Sequence, residues 1–252
     1  MLKLNRKNIF IILFLFVSGE AFSSDQALLA MKAAPDYRSI SVKIVRKISL
    51  PVWYHEGLFY DGKSIWVSNG RGGNVWVVDP SSGSIASEIA PIANFTEAMT
   101  PMGGGAYFIT DWDEKKLYRA RIEKGRLVTE SEVSLEPAHP AGVIWTGKRL
   151  FVITWTRGFG TRFDLLEMDG SARLIRKVRI MRIPEPCQMA WDDKNLWISS
   201  WYSRRVYKID TEKMQVMGSF VSPVRLTTGI AWDGKYMWLT GTYGDLYQLE
   251  VS

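Results

Sequence analysis

Both histidines of this chain, its single cysteine and two of its glutamates fall within the same three-residue window of a repeating pattern. His55-Glu56-Gly57, Thr96-Glu97-Ala98, His139-Pro140-Ala141, Pro186-Cys187-Gln188 and Thr227-Thr228-Gly229 each open a short apolar run. Lined up, one column reads Glu56, Glu97, Ala141, Cys187, Thr228. Two carboxyls converging from neighbouring runs repel one another. If they are also partly buried, one is driven to hold its proton near neutrality, which suits a general acid or base. Cys187 beside His139 would instead supply a nucleophile and its base, although no helix N-terminus stands by to lower the thiol pKa. Glu56, Glu97 and His139 together are the one conceivable metal set. The chain lacks a short-spaced ligand motif, so neither metal nor other cofactor is expected.

A second group of residues belongs to the same rim. If the runs are inner strands of a sheet ring, the tips after the following strands lie beside their starts. Those tips carry Asn69, Asp111-Trp112, Trp155-Thr156-Arg157, Trp201-Tyr202 and Thr242-Tyr243. Indole and phenol faces around a carboxyl-lined floor would grip a small or extended ligand, including a cationic ammonium.

The elements that must position these residues are announced by a phrase written five times. It appears as Tyr60-Asp61-Gly62-Lys63-Ser64-Ile65-Trp66, Trp145-Thr146-Gly147-Lys148-Arg149-Leu150-Phe151, Trp191-Asp192-Asp193-Lys194-Asn195-Leu196-Trp197 and Trp232-Asp233-Gly234-Lys235-Tyr236-Met237-Trp238, with a degenerate copy at Met102-Gly103-Gly104-Gly105-Ala106-Tyr107. The closing aromatics Trp66, Tyr107, Phe151, Trp197 and Trp238 are 41, 44, 46 and 41 residues apart. A period of about 40–50 residues built from short strands marks a β-propeller. The pattern predicts an all-β, five-bladed propeller over residues 39–252 with almost no helix. The last repeat ends after its third strand, and residues 41–50 alternate apolar and polar. That segment is expected to supply the missing strand and close the ring, leaving no exposed sheet edge.

With 46% hydrophobic and 13% aromatic residues the chain has ample material for a core, which excludes wholesale disorder. Residues 1–23 read as a secretory signal, with Lys3, Arg6 and Lys7 ahead of an apolar core at 9–17 and small residues after it; residues 24–38 read as a linker. A periplasmic or secreted protein is expected, without membrane contact after cleavage. The net charge of +6 falls to +4 once the signal is gone, and the strand-borne charges alternate with apolar residues as on a solvated face, which argues against nucleic acid. One cysteine allows no internal disulfide, and a domain of this size does not need one. A monomer is expected.

His55-Glu56-Gly57-Leu58-Phe59-Tyr60-Asp61-Gly62-Lys63 and Phe95-Thr96-Glu97-Ala98-Met99 resemble the paired inner-strand motifs of plant- and bacterial-type glutaminyl-peptide cyclotransferases. Residues 150–160, with Thr154-Trp155-Thr156, resemble that family's Leu-Thr-Trp tip. The resemblance implies a five-bladed propeller that converts the N-terminal glutamine of a peptide to pyroglutamate with release of ammonia, without a metal. It further implies Glu97 as the proton-transfer residue, with Glu56 beside it, and Trp112, Trp155, Trp201 and Tyr202 around the substrate. Asn69 or Gln188 would polarise the amide, and His139 would stand at the rim. The chain differs from the family in three respects. Glu56 stands where Gln is usual, Ala98 where Gly is usual, and the best copy of the Trp tip lies in the third repeat. A non-catalytic propeller binding a peptide, glycan or protein on its aromatic rim, and a metal-dependent lactonase or lyase, are the alternatives.

Overall fold

The computed structural model describes residues 29–252 apart from Ala93. The segment 1–23 lies outside these residues, as does the first part of the segment 24–38. Every regular element among the described residues is a strand. β1 (Ala30–Ser39) and β2 (Val42–Ser49) come first. A meander follows, of β3 (His55–Tyr60), β4 (Ile65–Asn69), β5 (Val75–Val78) and β6 (Ile85–Ile89), paired in that order. A second runs through β7 (Thr96–Gly103), β8 (Ala106–Asp111), β9 (Lys116–Glu123) and β10 (Arg126–Ser134). A third comprises β11 (His139–Trp145), β12 (Leu150–Thr156), β13 (Arg162–Met168) and β14 (Leu174–Ile180); a fourth, β15 (Pro186–Trp191), β16 (Leu196–Ser200), β17 (Arg205–Asp210) and β18 (Gln215–Val221). The chain ends in β19 (Thr227–Trp232), β20 (Met237–Gly241) and β21 (Asp245–Val251). As expected, β2 returns to complete this last sheet, pairing antiparallel with β21 from Val42↔Val251 to Ser49↔Asp245.

Packing explains why the phrase repeats. Each meander presents apolar residues to its neighbours. Phe59, Trp66 and Val75 of the first meet Met99, Ile109 and Tyr118 of the second, while Trp197, Val206 and Phe220 of the fourth meet Ile230, Met237 and Leu239 of the last sheet. Trp238 and Leu246 then pack on Leu58, Ile65 and Trp76, which joins the last sheet to the first. Inner strands are buried along nearly their whole length, whereas outer strands such as β6 and β10 are mostly exposed. This all-β arrangement of sheets fits a propeller.

The phrase itself is a turn device. Asp61 Oδ1 accepts from the backbone N–H groups of Lys63 (2.8 Å) and Ser64 (2.6 Å), and Oδ2 from Trp66 Nε1 (2.7 Å). The same three bonds recur at Asp192, to Lys194, Asn195 and Trp197, and at Asp233, to Lys235, Tyr236 and Trp238. One carboxylate thus fixes the turn and satisfies the N–H of an indole that is otherwise buried. Where the closing aromatic is Phe151, with no N–H to satisfy, the turn residue is Thr146, bonded reciprocally to Arg149.

One expectation is corrected. Residues 30–38, read from sequence as linker, form most of β1, which runs parallel to both β14 and β18 and joins their sheets into one of nine strands. The segment gave no strand signal because Ala33-Ala34-Pro35-Asp36 lacks the usual β-formers, and Pro35 has no N–H to pair. The register accordingly shifts between Ala33 and Arg38. Met31 and Ala34 are nevertheless buried, and Tyr37 Oη and Ser219 Oγ share a hydrogen bond of 2.5 Å.

Candidate active site

The starts of the five inner strands share an irregularity that the sequence does not announce. Each antiparallel pairing between an inner strand and its successor slips near its first residue: between His55 and Leu58, Thr96 and Ala98, Pro140 and Gly142, Pro186 and Met189, and Thr227 and Gly229. Glu56, Glu97, Ala141, Cys187 and Thr228 all lie inside these slips. An extra residue in one strand bends it and re-aims its side chain. Four of the five bulge residues, Glu56, Glu97, Ala141 and Cys187, line one cavity of about 300 Å³. Thr228 instead turns away and donates to the His55 carbonyl (2.6 Å).

Aromatic rings form the cavity wall. Trp112 and Trp155 meet edge to face at 5.5 Å, and Trp155 Nε1 donates to the Pro186 carbonyl at 2.6 Å, which fixes its ring. Trp201 stands across the mouth, 38% exposed. Tyr54, Phe95 and Tyr243 complete the ring, with Tyr54 and Tyr243 in edge contact at 5.5 Å. Tyr54 has φ of 64°, a left-handed backbone unusual for a bulky residue, held by Tyr54 N–H to Thr242 O (2.9 Å) and Gly70 N–H to Tyr54 O (3.1 Å). Two cations overhang the wall: Arg157 lies over Trp112 and Arg71 over Tyr54, at 5.5 and 5.0 Å from the ring centroids.

The carboxyls on the floor are both held toward their neutral forms. Burial pushes Glu56 up to about 8. Glu97 is 5% exposed and lies well above the usual carboxylate range, first from burial and then from the like charges of Glu56, Asp111 and Asp113, with the Gln188 amide opposing the shift. Its backbone is pinned from two sides, since Ser68 Oγ and Gln188 Nε2 both donate to the Glu97 carbonyl at 3.1 Å. A rigid backbone with a proton-holding side chain is what a proton-transfer group needs. Burial, reinforced by Glu97 and Glu56, raises the Cys187 thiol well above its ordinary value, so the thiolate that a nucleophile requires is disfavoured.

Of the residues singled out from sequence, Glu56, Glu97, Trp112, Trp155 and Trp201 meet in the cavity. Gln188, Asn69, His139 and Tyr202 do other work. Gln188 is buried, and its amide group donates to the Glu97 and Ala141 carbonyls, tying strands together rather than polarising a ligand. Asn69 shapes its own loop, accepting from Arg71 N–H (3.0 Å) and donating to Asn74 (2.9 Å). His139 stacks on Trp112 at 4.8 Å and its Nδ1 donates to the Trp112 carbonyl (2.9 Å), backing the wall without lining it. Tyr202 borders an adjoining groove. His55 is fully buried, its Nε2 donating to Val52 O (2.6 Å) and its Nδ1 facing Thr240 Oγ1 (3.1 Å). Among the described residues no group of three His, Cys, Asp or Glu side chains is placed to hold a metal ion. Sequence reasoning passed over Tyr54, Phe95 and Arg71 as wall residues. The signal for Arg71 was the glycine-rich tip Gly70-Arg71-Gly72-Gly73, which allows the backbone to double back over the cavity.

The sequence matches no protein-family model, and no curated protein matches it. Solved structures do share its fold. Glutaminyl cyclase from Myxococcus xanthus superimposes with a TM-score of 0.70 at 15% identity, over 86% of this chain and 98% of that one. The PQQ-bound aldose sugar dehydrogenase from Streptomyces coelicolor gives a TM-score of 0.58 at 13% identity, over 87% of this chain and 100% of the other. At such identities the likeness is one of propeller fold, a scaffold that carries unrelated chemistries.

Proposed function

We propose that this cavity cyclises the N-terminal glutamine of a peptide to pyroglutamate. The observation that carries the reading is the pair of proton-holding carboxyls, Glu56 and Glu97, set on bulges of neighbouring sheets beneath an aromatic wall. In the reaction the free α-amine attacks the side-chain carboxamide carbon, a C–N bond forms, and the amide nitrogen leaves as ammonia. The amine must shed a proton and the leaving nitrogen must gain one. The Glu56–Glu97 pair shares a proton across this exchange, Glu97 delivering it to the leaving nitrogen and the pair recovering one from the attacking amine. The indole faces of Trp112, Trp155 and Trp201 hold the glutaminyl residue against the floor and keep water from it.

The same reading takes the ring as five-bladed and the protein as an exported monomer, periplasmic or secreted. It works without cofactor, nucleic acid or membrane contact. Support comes from the five repeats and inner strands, from the charged and apolar segments within 1–23, and from the fold shared with a glutaminyl cyclase. Incubation with a Gln-initiated peptide tests it: the peptide loses the mass of ammonia with wild-type protein, and Glu97→Gln stops the loss. Equal inertness of the two proteins would sink the proposal. A non-catalytic rim that binds a peptide, glycan or protein is the second reading. It is favoured by Trp53, Tyr202 and Tyr243, which stand 66%, 70% and 60% exposed.

A further inference from the structure

The cavity does not end at Tyr243. Thr242 and Tyr243 form one wall of a second recess of about 450 Å³, open on the same rim, whose other sides are Tyr202, Arg204, Arg225 and Leu226. The recess is built rather than incidental. The Ser222 N–H donates to the Arg204 carbonyl (2.9 Å), holding the two arginine-bearing segments side by side. Ser222 Oγ meets Thr227 Oγ1 at 2.7 Å and accepts from Val224 N–H at 3.0 Å, so the segment carrying Arg225 is ordered. At the base, a Cβ on Gly241 would stand 2.4 Å from the Leu226 carbonyl, so a side chain there would force the floor apart.

The charged residues that line the recess, Arg204 and Arg225, are both cations. Arg204 and Arg225 are exposed, and neither is ion-paired with a carboxylate among the described residues; the same holds for Arg71 and Arg157 above the central cavity. Beneath them the two floor carboxyls are biased toward their neutral forms and offset little of this charge.

We propose that the recess takes the chain of a peptide beyond its terminal residue and selects acidic side chains there. The inference rests on the cyclisation reading, in that the peptide's N-terminus sits in the central cavity. The chain leaves past Tyr243, its backbone lies against Tyr202 and Leu226, and a carboxylate within the next few residues is met by Arg204 and Arg225. Arginine forks match carboxylates in bidentate geometry, and a cationic recess speeds the approach of an anionic peptide.

The test compares two Gln-initiated peptide series, with Glu or with Lys at the second to fourth positions, by ammonia release and, separately, by calorimetric binding. Wild-type protein is expected to favour the Glu series by about tenfold in both readouts at low salt, a preference that shrinks as salt screens it. Arg204→Glu with Arg225→Glu is expected to reverse the preference, and Arg204→Gln with Arg225→Gln to erase it; both sites are exposed, so unchanged circular dichroism shows that the variants fold. Turnover of both series alike overturns the acidic preference and leaves cyclisation standing. Arginine-dependent binding of the Glu series without turnover supports the recess and overturns cyclisation. Binding of neither series overturns the recess.

Discussion

Each inner hairpin has two ends, and they differ in what they tolerate. At one end Asp61, Asp192 and Asp233 repeat the same three hydrogen bonds to within 0.2 Å. At the other, the bulge residue is Glu, Glu, Ala, Cys or Thr. The turn end satisfies a buried indole and locks packing between sheets, so any drift is felt across an interface. The bulge end is equally constant in backbone, but at four of the five copies its side chain faces a cavity where no neighbour dictates its identity. Sameness of side chain marks what holds the ring together; sameness of backbone with variety of side chain marks what it holds for use.

Breaking the bulge end at the right copy has the largest expected effect. Glu97→Gln should lower ammonia release from a Gln-initiated peptide by roughly 10²–10⁴-fold while leaving the unfolding midpoint nearly unchanged, because a neutral amide of similar size replaces a buried carboxyl already held toward its neutral form. Breaking the turn end should do the reverse. Asp233→Ala orphans the Trp238 indole N–H and two backbone donors, costing about 2–4 kcal/mol in denaturant unfolding, with activity per folded molecule kept.

A subtler contrast lies in pH. Glu56 ordinarily titrates near 4.5 and in the fold at about 8. Its neutral form is therefore favoured by folding, and the stability it contributes is full below about 4.5 and lost as pH rises through about 8. The thermal midpoint of wild-type protein should fall across that window, and Glu56→Gln should flatten the fall; an unchanged slope would show that burial of Glu56 is not the cause. The smallest effect tests the third turn. Phe151→Trp alone brings an indole N–H without a partner and should cost about 1–3 kcal/mol. Adding Thr146→Asp should recover most of that, leaving the double variant within about 1 kcal/mol of wild type in a thermodynamic cycle.

Much of this was legible beforehand because it is periodic. The column Glu56, Glu97, Ala141, Cys187, Thr228 follows from lining up the copies, and so does the return of β2 to the last sheet. Asn69, Gln188 and His139 share the rim in sequence but not the cavity. A polar side chain at a strand start can aim inward or bond to a neighbouring carbonyl, and nothing local decides which. Gln188 reaches Glu97, 91 residues away in the chain, and Ala141, 47 away; such a bond exists only once the sheets are assembled. The strand formed by residues 30–39 escaped notice for the same reason, since its partners are edges of two other sheets.

The sequence by itself determined the repeat, the strand content, the aromatic anchors and the alignment of the rim, because a period and an apolar alternation are local properties that survive without the fold. The tertiary structure decided what those residues become. It placed a slip at the start of each inner strand, turned two carboxyls toward one cavity, and removed enough water to keep them protonated. Burial is a property of everything that surrounds a side chain, and for Glu56 and Glu97 those surroundings come from several different sheets.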